Sequence, residues 1–447
     1  MSHRCQTLFQ LLTFACFLMG TGINPALASD SLAGTWHGSL PLPGGMTLPL
    51  VFHFQETDAG YEGTMDSPAQ NVSGIKLETV KIDADGTVHA GVGKANFTGK
   101  FDDKETLKGT WTESEVPIDL TLKAGVPEHP KRPQEPVPPF PYKSEDVSFK
   151  NGDVTLSGTL THPEGIKVCP AVILLHGSGS HDRDETIFFH KPFLLLSDYL
   201  TRRGIAVLRY DKRGAGKSTG NKEQATTEDF ANDGLAAFEF LKTRPDIDKT
   251  KIGLLGHSEG GAGAAMVAAK DRDVRFIVSM AGMGLPGEEI LHGQRRILEK
   301  SQGMTPEAIE ETEKHFSDIL AIIRSEKDND LVMEKLKNKN LKMLTVPYFR
   351  HFISFDPAPI WAKVGCPVLA LDGDRDMEVI ADENLEAITK ALQSGGNNNV
   401  TATKLPGLNH LFQSCKTGLP NEYAVIEETI APQVLEIIST WILQQTK

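Results

Sequence analysis

Five short, continuous apolar runs limit the fold of this chain more than any other feature of its sequence. Each run has the length of a β-strand, and helix-forming stretches with mixed polarity separate most of them. Strands that are apolar on both faces belong to parallel sheets that helices cover on both sides. The sequence therefore predicts an α/β fold with a mostly parallel sheet. The runs occupy residues 171–175, 206–208, 252–255, 276–278 and 368–371.

The run 252–255 leads directly into Gly256-His257-Ser258-Glu259-Gly260, and a helix rich in small residues follows over 261–266. A serine between two glycines at a strand-to-helix turn is typical of a nucleophile elbow, where small neighbours permit the strained backbone. The free amides at the start of the helix would face a developing oxyanion. We predict that Ser258 is a nucleophile.

A nucleophilic serine needs a base and an acid that orients it, and behind such an elbow the acid precedes the base along the chain. The run 368–371 is followed by Asp372-Gly373-Asp374-Arg375-Asp376, so three aspartates compete. Asp376 lies beyond the turn at Gly373, where it could reach a histidine, and it is the predicted acid. Asp372, at the strand end, is the alternative and could instead be a buried structural acceptor.

The predicted base is His410, which lies in Leu408-Asn409-His410 after a further strand over 400–405. A histidine in a loop after the last strand is in the position that the base requires. His176, His190 and His257 are the competing histidines. His176 and His257 lie in motifs whose backbone is the functional part, so we expect their side chains to be structural or to line the pocket.

Two backbone amides should form the oxyanion hole. One belongs to Glu259, the residue after the nucleophile, and the other to the loop His176-Gly177-Ser178-Gly179-Ser180 after the run 171–175. Ser178 is the predicted second donor and Gly179 is the alternative. A Gly-Ser turn without a role in binding is the remaining interpretation, because turns commonly use these residues.

Charged residues also follow the run 206–208, in Tyr210-Asp211-Lys212-Arg213-Gly214. Gly214-Ala215-Gly216-Lys217-Ser218 is superficially similar to a phosphate loop, but it lacks the first glycine at the required spacing. The sequence therefore does not predict nucleotide binding. Asp211 and Arg213 are expected to pair with each other within the loop.

The chain before the parallel sheet has a different pattern. Residues 29–125 contain short strand-like segments separated by turns, which predicts a small all-β accessory domain, a barrel or sandwich with Trp36 and Trp111 near its two ends. Seven prolines within 126–142 predict a semi-rigid linker. The hydrolase domain should then occupy 143–447, with a strand-free helical cap over about 286–355.

The first residues predict export. Arg4, an apolar run over 8–19 and Ala26-Leu27-Ala28 form a signal peptide, 1–28, with cleavage after Ala28 and a periplasmic or secreted product. We expect no stable membrane insertion after cleavage. The net charge of −13 argues against nucleic acid as a partner. No Cys/His spacing predicts a metal site, and neither a cofactor nor a structural disulfide is predicted.

From about residue 143 onward the chain resembles bacterial esterases of the α/β-hydrolase superfamily. This resemblance implies a helical cap and hydrolysis of short acyl esters without a cofactor. It matches Ser258, Asp376 and His410 to the family's nucleophile, acid and base. The motifs that carry it are His176-Gly177-Ser178-Gly179 with Asp182-Arg183-Asp184, Tyr210-Asp211-Lys212-Arg213-Gly214, Gly256-His257-Ser258-Glu259-Gly260, Cys366-Pro367-Val368-Leu369-Ala370-Leu371 and Leu408-Asn409-His410.

The predicted function is therefore that of a serine carboxylesterase whose substrate is a small acyl ester. A peptidase or a thioesterase of the same fold is an alternative, and so is a binding protein that uses an inactive hydrolase scaffold. The simultaneous presence of Ser258, Asp376 and His410 argues against the last of these.

Overall fold

The computed structural model of the chain describes residues 31–41, 47–68, 72–113, 117–127, 130–336 and 344–447. The predicted signal peptide, 1–28, lies outside them. The chain divides into two compact units. The first comprises the described residues up to Lys131 together with Ile187–Phe189, and the second comprises Arg132–Thr186 and His190–Lys447. Among the helices of the described ranges, none combines the length and apolarity needed to cross a bilayer.

The first unit is a single antiparallel sheet that curls on itself. Its strand order is β4-β3-β2-β1-β9-β8-β7-β6-β5, and β3 and β5 come into contact as the sheet curls. The strands are β1 (Gly34–Pro41), β2 (Thr47–Thr57), β3 (Gly60–Ser67), β4 (Val72–Lys76), β5 (Thr79–Ile82), β6 (Val88–Val92), β7 (Ala95–Asp103), β8 (Thr106–Thr112) and β9 (Pro117–Ala124).

One apolar core fills the inside of this curled sheet. Trp36 lies opposite Ala124 on β9 and Trp111 lies opposite Ile118, so the two tryptophans face opposite ends of this one strand. Both indoles belong to the buried core. The Trp36 Nε1–H also donates a hydrogen bond of 2.8 Å to the carbonyl oxygen of Leu32. Phe52 pairs with Trp36 in the sheet and its ring centroid lies 6.1 Å from that of Trp111, so aromatic side chains connect the two tryptophans within the core.

The second unit contains an eight-stranded sheet with the order β10-β11-β13-β12-β14-β15-β16-β17. β10 and β11 form an antiparallel hairpin that turns at Asn151-Gly152. Across the rest of the sheet, from β13 through β12 and β14 to β17, every neighbouring pair of strands is parallel. The strands are β10 (Tyr142–Asn151), β11 (Val154–Pro163), β12 (Cys169–Leu175), β13 (Ala206–Tyr210), β14 (Ile247–His257), β15 (Ile277–Met280), β16 (Val368–Gly373) and β17 (Val400–Leu405).

Helices cover both faces of this sheet, and the central strand β12 shows why its sequence is continuously apolar. Ala171, Ile173 and Leu175 point into the core on one face, whereas Val172 and Leu174 point into the core on the other. Alternate side chains of a strand leave on opposite faces, so a strand buried on both sides has no position for a polar residue. The predicted mostly parallel α/β sheet is confirmed.

Five helices pack directly on the two faces, α1 (Pro192–Thr201), α2 (Thr227–Thr243), α3 (Glu259–Lys270), α9 (Ala381–Ser394) and α10 (Pro432–Gln445). The described residues between β15 and β16 include further helices, in the stretch where the cap is predicted. Its helices are α4 (Gly287–Ser301), α5 (Pro306–Ser325), α6 (Asn329–Leu336), α7 (Pro347–Phe352) and α8 (Ala358–Trp361).

The second half of the proline-rich segment 126–142 is attached to the second unit. The Arg132 guanidinium donates to the backbone oxygens of Ile426 and Ala424, at 3.0 and 2.7 Å. The Gln134 side chain donates to the oxygen of Ile430 and accepts from the N–H of Thr429. These hydrogen bonds fix residues that the proline content alone assigns to a linker.

Candidate active site

Ser258 occupies a sharp turn between the end of β14 and the start of α3. Its backbone angles are φ 54° and ψ −121°, a conformation that a residue with a Cβ atom adopts only under strain. A Cβ atom on Gly256 would lie 2.0 Å from the carbonyl oxygen of Gly260, so these two flanking positions require glycine. The turn therefore presents the serine hydroxyl beyond the strand end, as a nucleophile elbow does.

His410 and Asp376 form a buried ion pair at the same edge of the sheet. Asp376 follows β16 and His410 follows β17, and 2.6 Å separates His410 Nδ1 from Asp376 Oδ2. The other carboxylate oxygen accepts the backbone N–H groups of Glu378 and Val379, at 2.7 and 2.8 Å. The His410 side chain is 5 % exposed and that of Asp376 is fully buried. This geometry orients the imidazole ring and leaves Nε2 for a reacting group.

The other two aspartates of the motif have different partners. Asp374 Oδ1 accepts the N–H of Gly407 at 2.6 Å and so ties two loops together. Asp372 is buried at the end of β16, where burial and the adjacent charge of Asp376 raise its pKa well above the ordinary value. Asp372 therefore lies beside the carboxylate that contacts His410, where burial and that charge disfavour its ionisation.

Charges around His410 favour its protonated form. Burial would lower the pKa of His410, but the carboxylates of Asp376 and Glu378 and the hydrogen bond from Nδ1 together raise it to about 9. Glu378 Oε2 lies 3.8 Å from His410 Nε2, and Glu378 Oε1 accepts the hydroxyl of Tyr423 at 3.0 Å. Glu378 could not be identified from the sequence, because a single glutamate in a loop belongs to no recognisable motif.

His257 connects the base to the nucleophile turn. It immediately precedes Ser258, its ring centroid lies 4.9 Å from that of His410, and its Nε2 lies 3.1 Å from the His410 backbone oxygen. The described residues include no hydrogen bond between Ser258 Oγ and His410 Nε2. In free enzymes such a contact often forms only when the substrate is bound.

The loop after β12 lies against the nucleophile turn. A Cβ atom on Gly177 would be 3.3 Å from the Cβ of Ser258, so the loop backbone approaches the serine closely. The N–H of Gly177 donates to Glu185 Oε1 at 2.7 Å, and Gly179 has a φ of 101°, a value that favours glycine. The Ser178 Oγ accepts the hydroxyl of Tyr348 from α7, at 2.9 Å.

Glu185 is a further buried carboxylate near the site, and no pattern in the sequence identifies it. Burial would raise its pKa, but neighbouring histidines, with His257 first among them, lower it to about 2. Its second oxygen lies 3.3 Å from Nδ1 of His257. Glu185 therefore holds a negative charge beside the loop and the residue that precedes Ser258.

The two remaining competing histidines make structural contacts. His176 Nε2 lies 2.9 Å from the backbone oxygen of Asp182, within the same loop. His190 contacts Thr429 Oγ1 and the backbone oxygen of Tyr423, each at 2.9 Å. Burial lowers the pKa of each of these two histidines to about 4, so both are neutral near pH 7.

The expectation that Asp211 and Arg213 pair with each other is wrong. Asp211 Oδ2 accepts from Nη2 of Arg183 at 2.9 Å, whereas Arg213 Nη2 donates to Asp233 Oδ1 at 2.7 Å. The Asp211 carboxylate contacts the loop after β12, whereas the Arg213 guanidinium contacts α2. Only the tertiary structure provides these partners, because Arg183 and Asp233 are distant in sequence.

Within the described ranges, no group of three or more histidine, cysteine, aspartate or glutamate side chains is arranged to hold a metal ion. Cys169, Cys366 and Cys415 are free thiols. At Ser258 the described residues offer its own hydroxyl, the His410–Asp376 pair and the backbone amides of the two adjoining segments.

Comparisons with known proteins place this site in context. A family model described as serine aminopeptidase, S33, matches residues 167–357. The esterase EstD of Thermotoga maritima is 30% identical over 357 residues, which covers 78% of this chain and 79% of EstD. The thiohydrolase apmlB of Arthrinium phaeospermum is 35% identical over 159 residues, which covers 34% of this chain and 48% of that protein.

Solved structures give more distant matches. Est1E from Butyrivibrio proteoclasticus with bound ferulic acid is 20% identical, with a TM-score of 0.43 over 67% of this chain and 98% of Est1E. The Pyrococcus furiosus esterase Pf2001 is 18% identical, with a TM-score of 0.44 over 71% of this chain and 97% of that chain.

Proposed function

Because the chain belongs to the α/β-hydrolase family and is an esterase-type hydrolase, as its similarity to EstD shows, we propose that it is a serine carboxylesterase for short-chain acyl esters. The observation that carries the proposal is the buried His410–Asp376 pair at the sheet edge where the strained turn exposes Ser258. These residues supply a nucleophile, a base and an acid that orients the base.

The proposed reaction has two acyl-transfer steps. His410 Nε2 takes the proton of Ser258 Oγ while the oxygen attacks the ester carbonyl, and Asp376 stabilises the imidazolium that forms. The backbone N–H groups of Glu259 and Ser178 stabilise the oxyanion, with support from the N-terminus of α3. His410 then protonates the departing alcohol. Water attacks the acyl-enzyme with His410 again as base, which releases the carboxylic acid and restores Ser258.

The packing over the nucleophile turn supports a short acyl group. A cluster of buried apolar side chains joins the first turns of α3 to the cap and to the loop that holds Asp376. We propose that this packing leaves room for only a short acyl group. The cluster consists of Ala231, Ala262, Met266, Met283, Ile290, Phe352, Phe355 and Val379.

The test is the hydrolysis of p-nitrophenyl esters from acetate to laurate by the full mature chain, by Ser258→Ala and by Ser325→Ala as a matched control. Ser325 is an exposed serine at the end of α5. We expect kcat/KM to fall as the acyl chain lengthens, turnover to vanish in Ser258→Ala, and Ser325→Ala to match wild type. Turnover that persists in Ser258→Ala would refute the proposed nucleophile, and a rate that rises with acyl length would refute the short-chain assignment.

A second candidate is hydrolysis of a thioester or of an N-terminal peptide bond. The relative named as a thiohydrolase favours the thioester, and the family model described as a serine aminopeptidase favours the peptide bond. All three substrates would use the same serine and acyl-enzyme. Amino-acid p-nitroanilides and short-chain acyl thioesters distinguish the candidates. A kcat/KM for either class that exceeds the value for esters would displace the carboxylesterase assignment.

We also propose that the protein is exported and that cleavage follows Ala28. The support is the sequence pattern of Arg4, the apolar run 8–19 and Ala26-Leu27-Ala28. Mass spectrometry of the mature N-terminus, after fractionation of the producing cells, should find Ser29 as the first residue. A mature protein that keeps its first residues in the cytoplasmic fraction would contradict this proposal.

A further inference from the structure

The motif Tyr210-Asp211-Lys212-Arg213-Gly214 follows β13, next to β12 in the sheet, and the proposed reaction assigns it no role. Asp211 and Arg213 form ion pairs with neighbouring elements. Lys212 Nζ donates to the backbone carbonyl oxygen of Gly177, in the loop beside the nucleophile, at 2.7 Å. Lys212 is only 4 % exposed. A buried ammonium group bonded to the loop beside the nucleophile is costly to maintain unless its charge and hydrogen bonds are matched.

The bond to the Gly177 carbonyl determines the direction of a different group. The C=O of Gly177 and the N–H of Ser178 belong to one planar trans peptide, in which the two bonds point in opposite directions. An ammonium that fixes the carbonyl therefore fixes the N–H of Ser178, the proposed second oxyanion donor. The N–H of Gly177 is fixed separately by Glu185 Oε1 at 2.7 Å.

Lys212 also contacts the residue that provides the first oxyanion donor. Glu259 supplies its backbone N–H to the proposed hole, while its buried carboxylate lies 3.4 Å from Lys212 Nζ and accepts the Thr227 hydroxyl at 2.6 Å. The ring of Phe230 covers the ammonium, with Nζ 3.9 Å from the ring centroid. One ammonium group therefore touches both segments that would hold the oxyanion.

We propose that Lys212 is a positioning residue that sets the geometry of the oxyanion hole, because it holds the Gly177–Ser178 peptide and Glu259 at a fixed distance from each other. The proposal rests on the carboxylesterase reaction described above. Lys212 touches no reacting atom, so it acts through the two backbone amides. Because these amides bind the oxyanion more tightly than the ground-state carbonyl, the loss of their alignment should reduce kcat more than it changes KM.

The central variant is Lys212→Met combined with Glu259→Gln, which keeps the backbone N–H of Glu259 and leaves no unpaired buried charge. We expect kcat for a short p-nitrophenyl ester to fall about 10- to 100-fold, with KM changed less than about 3-fold. The inhibition constant of a trifluoromethyl ketone, which forms an oxyanion on Ser258, should rise by the same factor as kcat falls. Lys212→Gln, which keeps a donor, should retain more activity than Lys212→Met.

Lys222→Met is the matched control, because Lys222 Nζ lies 3.4 Å from the side-chain Oγ of Ser180 in the same loop. It should remain within about 2-fold of wild type in kcat. Titration of active sites with a fluorophosphonate gives kcat per reactive serine and so separates misfolding from misalignment.

A normal kcat per reactive site in the double variant would overturn the positioning role, and so would a loss confined to KM. If wild type hydrolyses no ester, or if Ser258→Ala remains active, the proposed function itself fails. Loss of kcat that is specific to the Lys212 variants, in an enzyme that depends on Ser258, supports both proposals.

Discussion

Both units of this protein bring a hydroxyl, a histidine and an aspartate close together, but the surroundings of the three groups differ. On the first unit, Thr35 Oγ1 lies 3.2 Å from His53 Nδ1, and His53 Nε2 lies 2.8 Å from Asp66 Oδ2. The same order of groups recurs there at Thr98, His89 and Asp83. In the second unit, His410 and Asp376 pair near Ser258.

Burial and backbone geometry distinguish the two regions. The side chains of His53 and Asp66 are 39% and 25% exposed, whereas those of His410 and Asp376 are 5% and 0% exposed. Thr35 lies in a regular strand, but Ser258 lies in a strained turn at the start of a helix. We therefore expect catalysis only near Ser258, because there low exposure and backbone amides directed at the oxyanion would accompany the three residue types.

The largest expected effect comes from removing the acid in each region. Asp376→Asn should lower kcat about 10⁴-fold, because the His410 ring would lose the carboxylate that fixes its tautomer. Asp66→Asn is the matched substitution on the first unit and should leave kcat unchanged. Steady-state kinetics on a short ester, with active sites titrated, measure both. Comparable losses in the two variants would remove the distinction between the regions.

The strained turn can be tested through its glycines. A Cβ atom at Gly256 would lie 2.0 Å from a backbone oxygen, so Gly256→Ala must shift the turn that carries Ser258. A displacement of about 1 Å can reduce kcat about 100-fold. Gly263→Ala on α3 is the control, because a Cβ atom there meets nothing within 4 Å, and it should preserve kcat. Equal kcat in both variants would show that the turn geometry is not required.

The Glu378 carboxylate near His410 Nε2 predicts an effect of intermediate size on the pH dependence of kcat/KM. A general base must be neutral, and the pKa of His410 is raised to about 9, so kcat/KM should increase with pH up to this alkaline range. Glu378→Gln removes a nearby negative charge, so it should lower the pKa and move this rise to lower pH by roughly 0.5–1 unit. Asp376 and Glu185 remain as the other carboxylates facing His410.

The pH profile should be measured in a pH-stat with an aliphatic ester, because p-nitrophenyl esters hydrolyse spontaneously in alkali. Glu383→Gln, an exposed glutamate in the first turn of α9, is the control and should leave the profile in place. A profile of Glu378→Gln that stays fixed or moves to higher pH would contradict the proposed effect of this carboxylate.

The smallest effect should be found in the exposed pair of the first unit. The hydrogen bond with Asp66 raises the pKa of His53, so protonated His53 stabilises the fold at pH values below its ordinary pKa. This contribution is lost as pH rises through the raised pKa. His53→Gln should therefore lower the Tm of the full chain more at about pH 5.5 than at about pH 8.5. The corresponding difference in the free energy of unfolding should be less than about 1 kcal/mol. Calorimetry at both pH values checks the sign, and a larger loss at the higher pH would reverse it.

Local sequence patterns predicted the parts of the fold that depend on local chemistry. Continuous apolar runs predicted the parallel strands because a strand buried on both faces excludes polar residues, and Asn151-Gly152 predicted the hairpin between β10 and β11. The Gly256–Gly260 pattern predicted the turn at Ser258, since only glycine fits beside it. Chain order and loop position also selected Asp376, the aspartate that the structure places against His410.

The contacts between distant loops could not be predicted in the same way. The partners of Lys212 and Glu378, and the true partners of Asp211 and Arg213, come from other elements of the fold. A lone charged residue in a loop has no periodicity, and its partner depends on which strand ends lie side by side. The sequence by itself determined the strands, the strained turn and the candidate triad, because these follow from burial and backbone sterics. Only the tertiary structure decided which charges surround them, because electrostatic interactions depend on distances between segments far apart in the chain.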